Sequence, residues 1–274
     1  MENAPVSCII CGSSDRSPLL SVDGWTVMRC DHCGFGFLDP RPSSEEIGRL
    51  YRCAYFTERY DQGLDPASEL FAKRISGESH RVRFIRRLVR SGKLLDIGCG
   101  YGYFLHAIKQ AGFSVKGLDV SDWAAGYARD TLGIDITVSD VSDGVFDPES
   151  FDVISMWHSL EHMTDPNEAL HAASLWLKPA GVLIVDVPNH LGTDARRIGK
   201  EWDGWSIPYH FWHFTPETLT RFLDAHGFRV VRSKTYHSEW VKNRLARTVV
   251  LKPVARLIAK MFSGTSIAVA AVKR

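Results

Sequence analysis

The chain has 274 residues, 45% apolar and 24% charged, with a formal net charge of +1. This composition excludes a disordered or fibrous chain, and no stretch reaches the roughly 18 to 20 uninterrupted apolar residues of a membrane-spanning helix. The start, MENAPVSCIICG, lacks the basic and apolar regions of a secretory signal, which makes a cytoplasmic protein the default expectation. Near-neutrality hides segregation: residues 71–93 carry eight cations against one acid, residues 94–190 four against fourteen, and residues 191–274 fifteen against six. A general nucleic-acid binder has a pI above about 9. The pattern fits an enzyme with locally basic surfaces instead.

Four of the six cysteines fall within the first 33 residues. Cys8-Ile9-Ile10-Cys11 and Cys30-Asp31-His32-Cys33 form two CxxC knuckles with eighteen residues between them. That gap lies within the window of about 15 to 20 that marks a four-thiolate zinc site. A segment of about forty residues cannot bury a sufficient core without such a staple. Residues 1–40 are therefore expected to bind zinc through Cys8, Cys11, Cys30 and Cys33, whereas Cys53 and Cys99 read as ordinary small residues. After Asp39-Pro40-Arg41-Pro42, a punctuated linker, Ser43-Ser44-Glu45-Glu46 reads as an N-cap with acids in the first helical turn, and helical patterning runs through Ile47 and Leu50. A longer amphipathic stretch places Phe71, Ile75, Val82, Ile85 and Val89 on one side. Arg81, Arg83, Arg86, Arg87 and Arg90 surround it as a solvated face. Residues 41–92 are thus expected to be a helical linker or cap.

From Lys93 short apolar runs alternate with helical segments, the mark of a parallel α/β sheet. The spacing predicts strands over 93–97, 114–119, 134–139, 151–157, 181–187, 228–236 and 266–272. Helices are predicted over 103–111, 123–132, 167–177 and 216–226. The most informative run is LLDIGCGYGYF, residues 94–104, an apolar strand that ends in an acid and enters a helix through a glycine turn. A GxGxxG fingerprint would need glycine at 103, where the chain has tyrosine, so the spacing is GxGxG. Asp119 and Asp140 end the second and third strands. With Asp96 they place acids along the carboxyl edge at which open α/β sheets bind nucleoside-type cofactors.

On these residues the region 93–274 resembles the class I S-adenosylmethionine-dependent methyltransferases. LLDIGCGYGYF resembles their first motif and VKGLDVS their second. FDVISMWHSLEHMTDPNEAL with LWLKPAGVLIVDVPN resembles the fourth strand, its helix and the fifth strand. The resemblance implies a Rossmann-like seven-stranded sheet with a reversed last hairpin, and S-adenosylmethionine as cofactor. Asp96 with Gly98, Gly100 and Gly102 would lie by its methionine end. Asp119 would hold the ribose, Asp140 with Val141 would lie beside the adenine, and Val120 and Trp157 would be further contacts. The cysteine knuckles joined to PRPSSEEIGRLY also resemble small-molecule methyltransferases with an N-terminal zinc segment, including deoxysugar C-methyltransferases. In those, the Glu-His matching Glu161-His162 lies at the active centre. The last predicted element here is the seventh strand, so their substrate is not carried over.

His158-Ser-Leu-Glu161-His162 also spells HxxEH, a zinc-protease motif that requires a helix. Here it follows directly on a strand, so the reading preferred is a base near the sulfonium methyl, with His162 first. Residues 201–214, EWDGWSIPYHFWHF, hold six aromatics and read as a pocket lining or lid, or as a hydrophobic flap packed on the sheet edge. They resemble the family's PxHxxxF(S/T) stretch, which puts His210 near the pocket, with His213 further along the same stretch. Residues 239–263 carry six cations against Glu239 alone. There Val254, Leu257, Ile258, Met261 and Phe262 form a helical apolar stripe, which either covers the sheet edge or closes the substrate pocket, or else docks on a membrane surface or an apolar partner.

The overall expectation is methylation of a small molecule, at oxygen in preference to carbon. Candidate acceptors are a saccharide, a natural product, a quinone-like ring or a lipid-linked ring. The rivals are an RNA-modifying methyltransferase and a non-catalytic cofactor-binding scaffold. The net-acidic cysteine segment argues against the first, since it would repel phosphates, and the intact glycine turn argues against the second.

Overall fold

The computed structural model describes residues 7–43, Glu46 and residues 63–274. Cys53 and the helical reading through Ile47 and Leu50 lie outside them. The start of that reading is described: Ser43 Oγ accepts the Glu46 N–H, and the Glu46 carboxylate accepts the Ser43 N–H and hydroxyl, a capping box.

A seven-stranded sheet organises the chain. Its strands are β4 (Lys93–Ile97), β5 (Ser114–Asp119), β6 (Ile136–Val138), β7 (Phe151–Trp157), β8 (Leu177–Pro188), β10 (Phe228–His237) and β11 (Ser263–Lys273). They lie in the order β10-β11-β8-β7-β4-β5-β6. β4 pairs in parallel with both β5 and β7, and β5 with β6. The strand order therefore reverses beside β4, and Leu94, Leu95 and Ile97 are buried there in the continuous apolar run expected of a doubly covered parallel strand. The third strand is shorter than its sequence signal and starts only at Ile136, after buried Leu132 and Ile134, while β8 and β11 start earlier than predicted.

The helices between strands are α2 (Tyr103–Gln110), α3 (Asp122–Asp130), α4 (Pro166–Trp176), the short α5 (Thr193–Ile198) and α6 (Pro216–Ala225), preceded in the chain by α1 (Glu69–Arg86). Local chemistry sets their starts. Ser121 caps α3 by accepting the Ala124 N–H, Asp165 caps α4 with Pro166 at its first position, and Thr215 caps α6 with Pro216 following. In α1, Phe71, Phe84 and Ile85 are buried and Arg83, Arg86 and Arg87 are exposed. Arg81 departs from the solvated face: it pairs with buried Glu78 at 3.0 Å.

The chain divides into two compact units. One comprises residues 43–159, 165–184 and 271–274 and holds β4 to β7 with α1 to α4. The other comprises residues 1–42, 160–164 and 185–270. It contains a four-stranded sheet in the order β1-β2-β3-β9, built from β1 (Arg16–Val22), β2 (Trp25–Cys30), β3 (Gly36–Leu38) and β9 (Trp212–His213). β1 and β2 turn at Asp23-Gly24, both in the left-handed region, as a two-residue hairpin requires. The aromatic segment of residues 201–214 supplies β9, which pairs with β3 through Gly36↔His213 and Phe37↔Trp212. Its Trp202, Trp205, Phe211, Trp212 and Phe214 are buried, with Phe35 stacked on Trp212 at 6.0 Å.

The 239–263 segment begins with α7 (Glu239–Ala246), whose N-terminus is held by the buried carboxylate of Asp194 in α5, which accepts from the Glu239 and Trp240 N–H groups and the Ser238 hydroxyl. Its second helix, α8 (Ala255–Ala259), turns Ala255 and Ala259 inward and leaves Leu257 67% and Met261 82% exposed. The apolar stripe therefore does not cover the sheet edge. No helix among the described residues is long and apolar enough to cross a membrane.

Candidate active site

The loop after β4 is shaped by glycine. Gly98, Gly100 and Gly102 all have positive φ, and a Cβ on Gly98 would lie 2.4 Å from the Ser159 Cβ. Asp96 is buried at the end of β4 and accepts the Ser155 hydroxyl at 2.6 Å. Burial pushes its carboxyl up to about 7, against the opposing pull of the Ser155 bond and the Arg81 charge. Asp119, buried at the end of β5, accepts the Gly100 N–H at 2.7 Å and the Ser121 N–H at 2.9 Å. It thus ties the second strand to the glycine loop and keeps a lone pair on each oxygen for a ligand hydroxyl. Burial raises its pKa also.

The remaining residues predicted for this edge are spread in exposure. Val120 is exposed, Asp140 is exposed and caps the turn Val141–Asp143 by accepting from Ser142, and Val141 is buried. Trp157 closes β7, buried against the edges of Phe84 and Phe104, with the Arg81 guanidinium 5.0 Å from its ring centre. The Glu78–Arg81 pair is the feature that sequence reasoning missed. Its only signal is an acid and a base three residues apart in a helix otherwise rich in exposed arginine.

A second constellation lies in the other unit. Leu160–His162 is a single 3-10 turn, and no helix runs through 158–162, so His158 does not join His162 on a helix face as the protease motif requires. Glu161 is completely buried and His210 is 8% exposed. Glu161, His162 and His210 each offer a ligand atom, and the three atoms lie within 4.8 Å of one another. The two rings pack edge to face with centres 4.4 Å apart. His162 Nδ1 lies 3.0 Å from the Tyr209 carbonyl and His210 Nδ1 2.9 Å from the Gly204 carbonyl. A carbonyl only accepts, so both Nδ1 atoms carry the proton, and in the neutral rings Nε2 holds the lone pair.

The aromatic segment is what brings these groups together. The Phe211 N–H donates to the Glu161 carbonyl, the Trp212 indole to the Met163 carbonyl, and the Leu38 N–H of β3 to the Phe211 carbonyl. Nearby His213 and His190 are held neutral by burial, which lowers their pKa values to about 3 and about 4.

At the N-terminus, the Sγ atoms of Cys8, Cys11, Cys30 and Cys33 also lie within 4.8 Å of one another, with Cys8 and Cys33 3.4 Å apart and Cys11 and Cys30 3.5 Å apart. Burial pushes the Cys8 and Cys33 thiols up. Four cysteine sulfurs gathered so closely form a group that could hold a metal ion.

A reversed parallel sheet with a glycine turn and acids at its carboxyl edge defines an α/β enzyme that binds a nucleoside-type cofactor. The family model described as "Methyltransferase domain" matches residues 70–233, more than half of the chain. The chain is 35% identical over 161 residues to the "Ubiquinone biosynthesis O-methyltransferase" of Actinobacillus pleuropneumoniae serotype 5b (strain L20), covering 53% of this chain and 69% of that relative. It is 27% identical over 232 residues to the protein of the same name from Coxiella burnetii (strain Dugway 5J108-111), covering 78% and 97%. The structure of a SAM dependent methyltransferase from Archaeoglobus fulgidus matches with a TM-score of 0.57 at 23% identity, over 73% of this chain and 94% of that one. The chain belongs to the methyltransferase-domain family. It is an enzyme that uses S-adenosylmethionine.

Proposed function

We propose that the enzyme transfers a methyl group from S-adenosylmethionine to a hydroxyl of a small, quinone-like ring. The observation that carries this reading is the convergence of Glu161, His162 and His210. On the donor side, ionised Asp96 and the backbone of the Gly98–Gly102 turn receive the methionine end. Asp119 with Val120 receives the ribose, Asp140 with Val141 the adenine, and Trp157 is a further donor contact. Methyl transfer is an in-line displacement in which the acceptor oxygen forms a bond to carbon while the carbon–sulfur bond breaks and its electron pair goes to sulfur. The hydroxyl gains nucleophilicity by losing its proton, and the Nε2 lone pair of His162 accepts it. Buried Glu161 stabilises the imidazolium formed, and His210 fixes the other flank.

Zinc fits the cysteine cluster. A tetrahedron with Zn–S bonds of about 2.3 Å places sulfurs about 3.8 Å apart, close to the separations found. Four protein ligands leave no open position, so the ion is structural. It fixes the hairpin whose β3 edge bonds to the aromatic segment and, through Phe211, to the Glu161 turn.

The acceptor class draws on the name of the relatives and on the 239–263 surface. Val249, Val250, Leu257 and Met261 are exposed there beside Lys252, Arg256 and Lys260. Such a surface suits an acceptor presented at an anionic membrane.

Incubating the protein with methyl-labelled donor and a set of hydroxylated quinols, catechols and sugar nucleotides tests the reading. Label should enter the ring hydroxyl, and His162→Ala should lower turnover about 100-fold or more with donor affinity nearly intact. Label appearing only in sugar or RNA, or full turnover by His162→Ala, refutes it.

A further inference from the structure

The run Asp39-Pro40-Arg41-Pro42, which leaves the cysteine hairpin, does more than join two segments. We propose that Arg41 is a positioning residue for methyl transfer, because it clamps the turn that carries Glu161 and His162 to the hairpin and the aromatic segment. Its effect on the rate rests on the reading of His162 as base; the clamp itself does not.

Arg41 Nη1 donates to the Thr164 carbonyl at 2.9 Å, and its guanidinium lies 5.0 Å from the centre of the Trp212 ring. Trp212 is buried and its indole N–H donates to the Met163 carbonyl at 2.7 Å. The Phe211 N–H donates to the Glu161 carbonyl at 2.9 Å. Carbonyls on both sides of His162 are thus gripped from outside the turn, while its own Nδ1 meets the Tyr209 carbonyl. Arg41 lays a flat cation near the indole and reaches a carbonyl with one N–H, a pairing that suits a planar guanidinium better than an ammonium.

The anchor is itself fixed. The Asp39 N–H donates to the Thr26 carbonyl of β2 at 3.0 Å, the Asp39 carboxylate pairs with Arg16 of β1 at 2.8 Å, and the Leu38 N–H donates to the Phe211 carbonyl at 2.8 Å. All of these residues belong to one compact unit. The turn has less stiffness of its own. Leu160–His162 is a single 3-10 turn, and the Met163 N–H reaches the Leu160 carbonyl at 3.3 Å, longer than an ordinary backbone bond. Its place is therefore set by what holds it. A general base must lie within about 2.6 to 3.2 Å of the proton it takes, and a misplacement of about 1 Å can cost about 100-fold in rate. Loss of the clamp should slow proton transfer and spare donor binding, since Asp96 and Asp119 belong to the other unit.

The test uses the full zinc-loaded chain, methyl-labelled donor and a catechol as acceptor. Arg41→Ala should lower kcat about tenfold or more while the KM for the donor stays within about twofold. Arg41→Lys, which keeps the charge and an N–H donor, should recover part of the rate. In the His162→Ala background, Arg41→Ala should cost less than about threefold, because a residue that acts through His162 has nothing left to position. Amide exchange read by nuclear magnetic resonance needs no acceptor and decides the clamp even if catechol takes no methyl. The Met163 and Phe211 amides should exchange about tenfold faster or more in Arg41→Ala, with circular dichroism confirming the fold. If Arg41→Ala fails to fold, Arg41→Lys carries the same readouts, with smaller losses in the same direction. Unchanged exchange at Met163 and Phe211, or full turnover in Arg41→Ala, overturns the proposal. An equal loss with and without His162 overturns it as well, since Arg41 would then act apart from the base. Full turnover in His162→Ala, with faster exchange in Arg41→Ala, refutes the base and spares the clamp.

Discussion

Asp96 should make donor binding depend on pH, through a linkage whose sign is fixed by its environment. Its carboxyl is pushed up to about 7 by burial, with the Ser155 hydroxyl and Arg81 offsetting only part of that rise. An unfolded aspartic acid titrates near 3.9. Between about pH 4 and 7 the folded chain therefore holds a proton that the unfolded chain has released, so this residue makes the protein less stable as pH rises through that window. The rise from about 3.9 to about 7 corresponds to about 4 kcal/mol at full ionisation. The donor's ammonium reverses the balance, because it favours the ionised carboxylate and a proton competes with it. With an apparent pKa of about 7, donor affinity should improve about tenfold or more between about pH 5.5 and pH 7. It should level off above that and weaken once the donor's own amino group deprotonates near pH 8. Isothermal titration in buffers of different ionisation enthalpy would measure both the slope and the proton released. Asp96→Asn should bind weakly with no slope and lose the falling stability between about pH 4 and 7. A flat affinity in the wild type, or the same slope in Asp96→Asn, would refute the reasoning.

Gly98→Ala should cost about 1 to 3 kcal/mol in thermal unfolding, since its Cβ would meet Ser159 at 2.4 Å from a left-handed backbone. Gly100→Ala has open space around its Cβ, so it should instead lose donor affinity for a strain cost of about 1 kcal/mol. Cys30→Ser should release zinc on metal analysis and lower turnover while donor affinity persists; full metal content in that variant would exclude the four-thiolate centre. Leu257→Asp should change stability by no more than about 0.5 kcal/mol, as at other exposed positions. In co-sedimentation, anionic but not neutral vesicles should retain the protein, and replacing Lys252, Arg256 and Lys260 by Glu should abolish it. Unfolding of Leu257→Asp, or indifference to lipid charge, would remove the membrane surface.

What the chain determined by itself is whatever depends on neighbours in sequence. The run from Leu94 to Phe104 specifies strand, left-handed glycine turn and helix in one stretch, because backbone conformation and apolar periodicity are local properties. The same holds for Ser121, Asp165 and Thr215, whose side chains cap helices a few residues away. Cysteine spacing likewise predicts four converging thiols. The Asp23-Gly24 turn has the same local origin, an Asp-Gly pair between apolar residues, although no hairpin was expected there.

Tertiary structure decided the rest. His210 meets Glu161 and His162 only because residues 209–212 hydrogen-bond to the turn after β7 and pair with the cysteine hairpin. That link spans three distant segments and leaves no periodic trace in any one of them. Arg81 sat in a run of arginines and is set apart only by Glu78 and Trp157 beside it. The stripe through Leu257 and Met261 had core periodicity, yet Ala255 and Ala259 take the buried positions. Period fixes which residues share a helix face, but only packing chooses the face that turns inward.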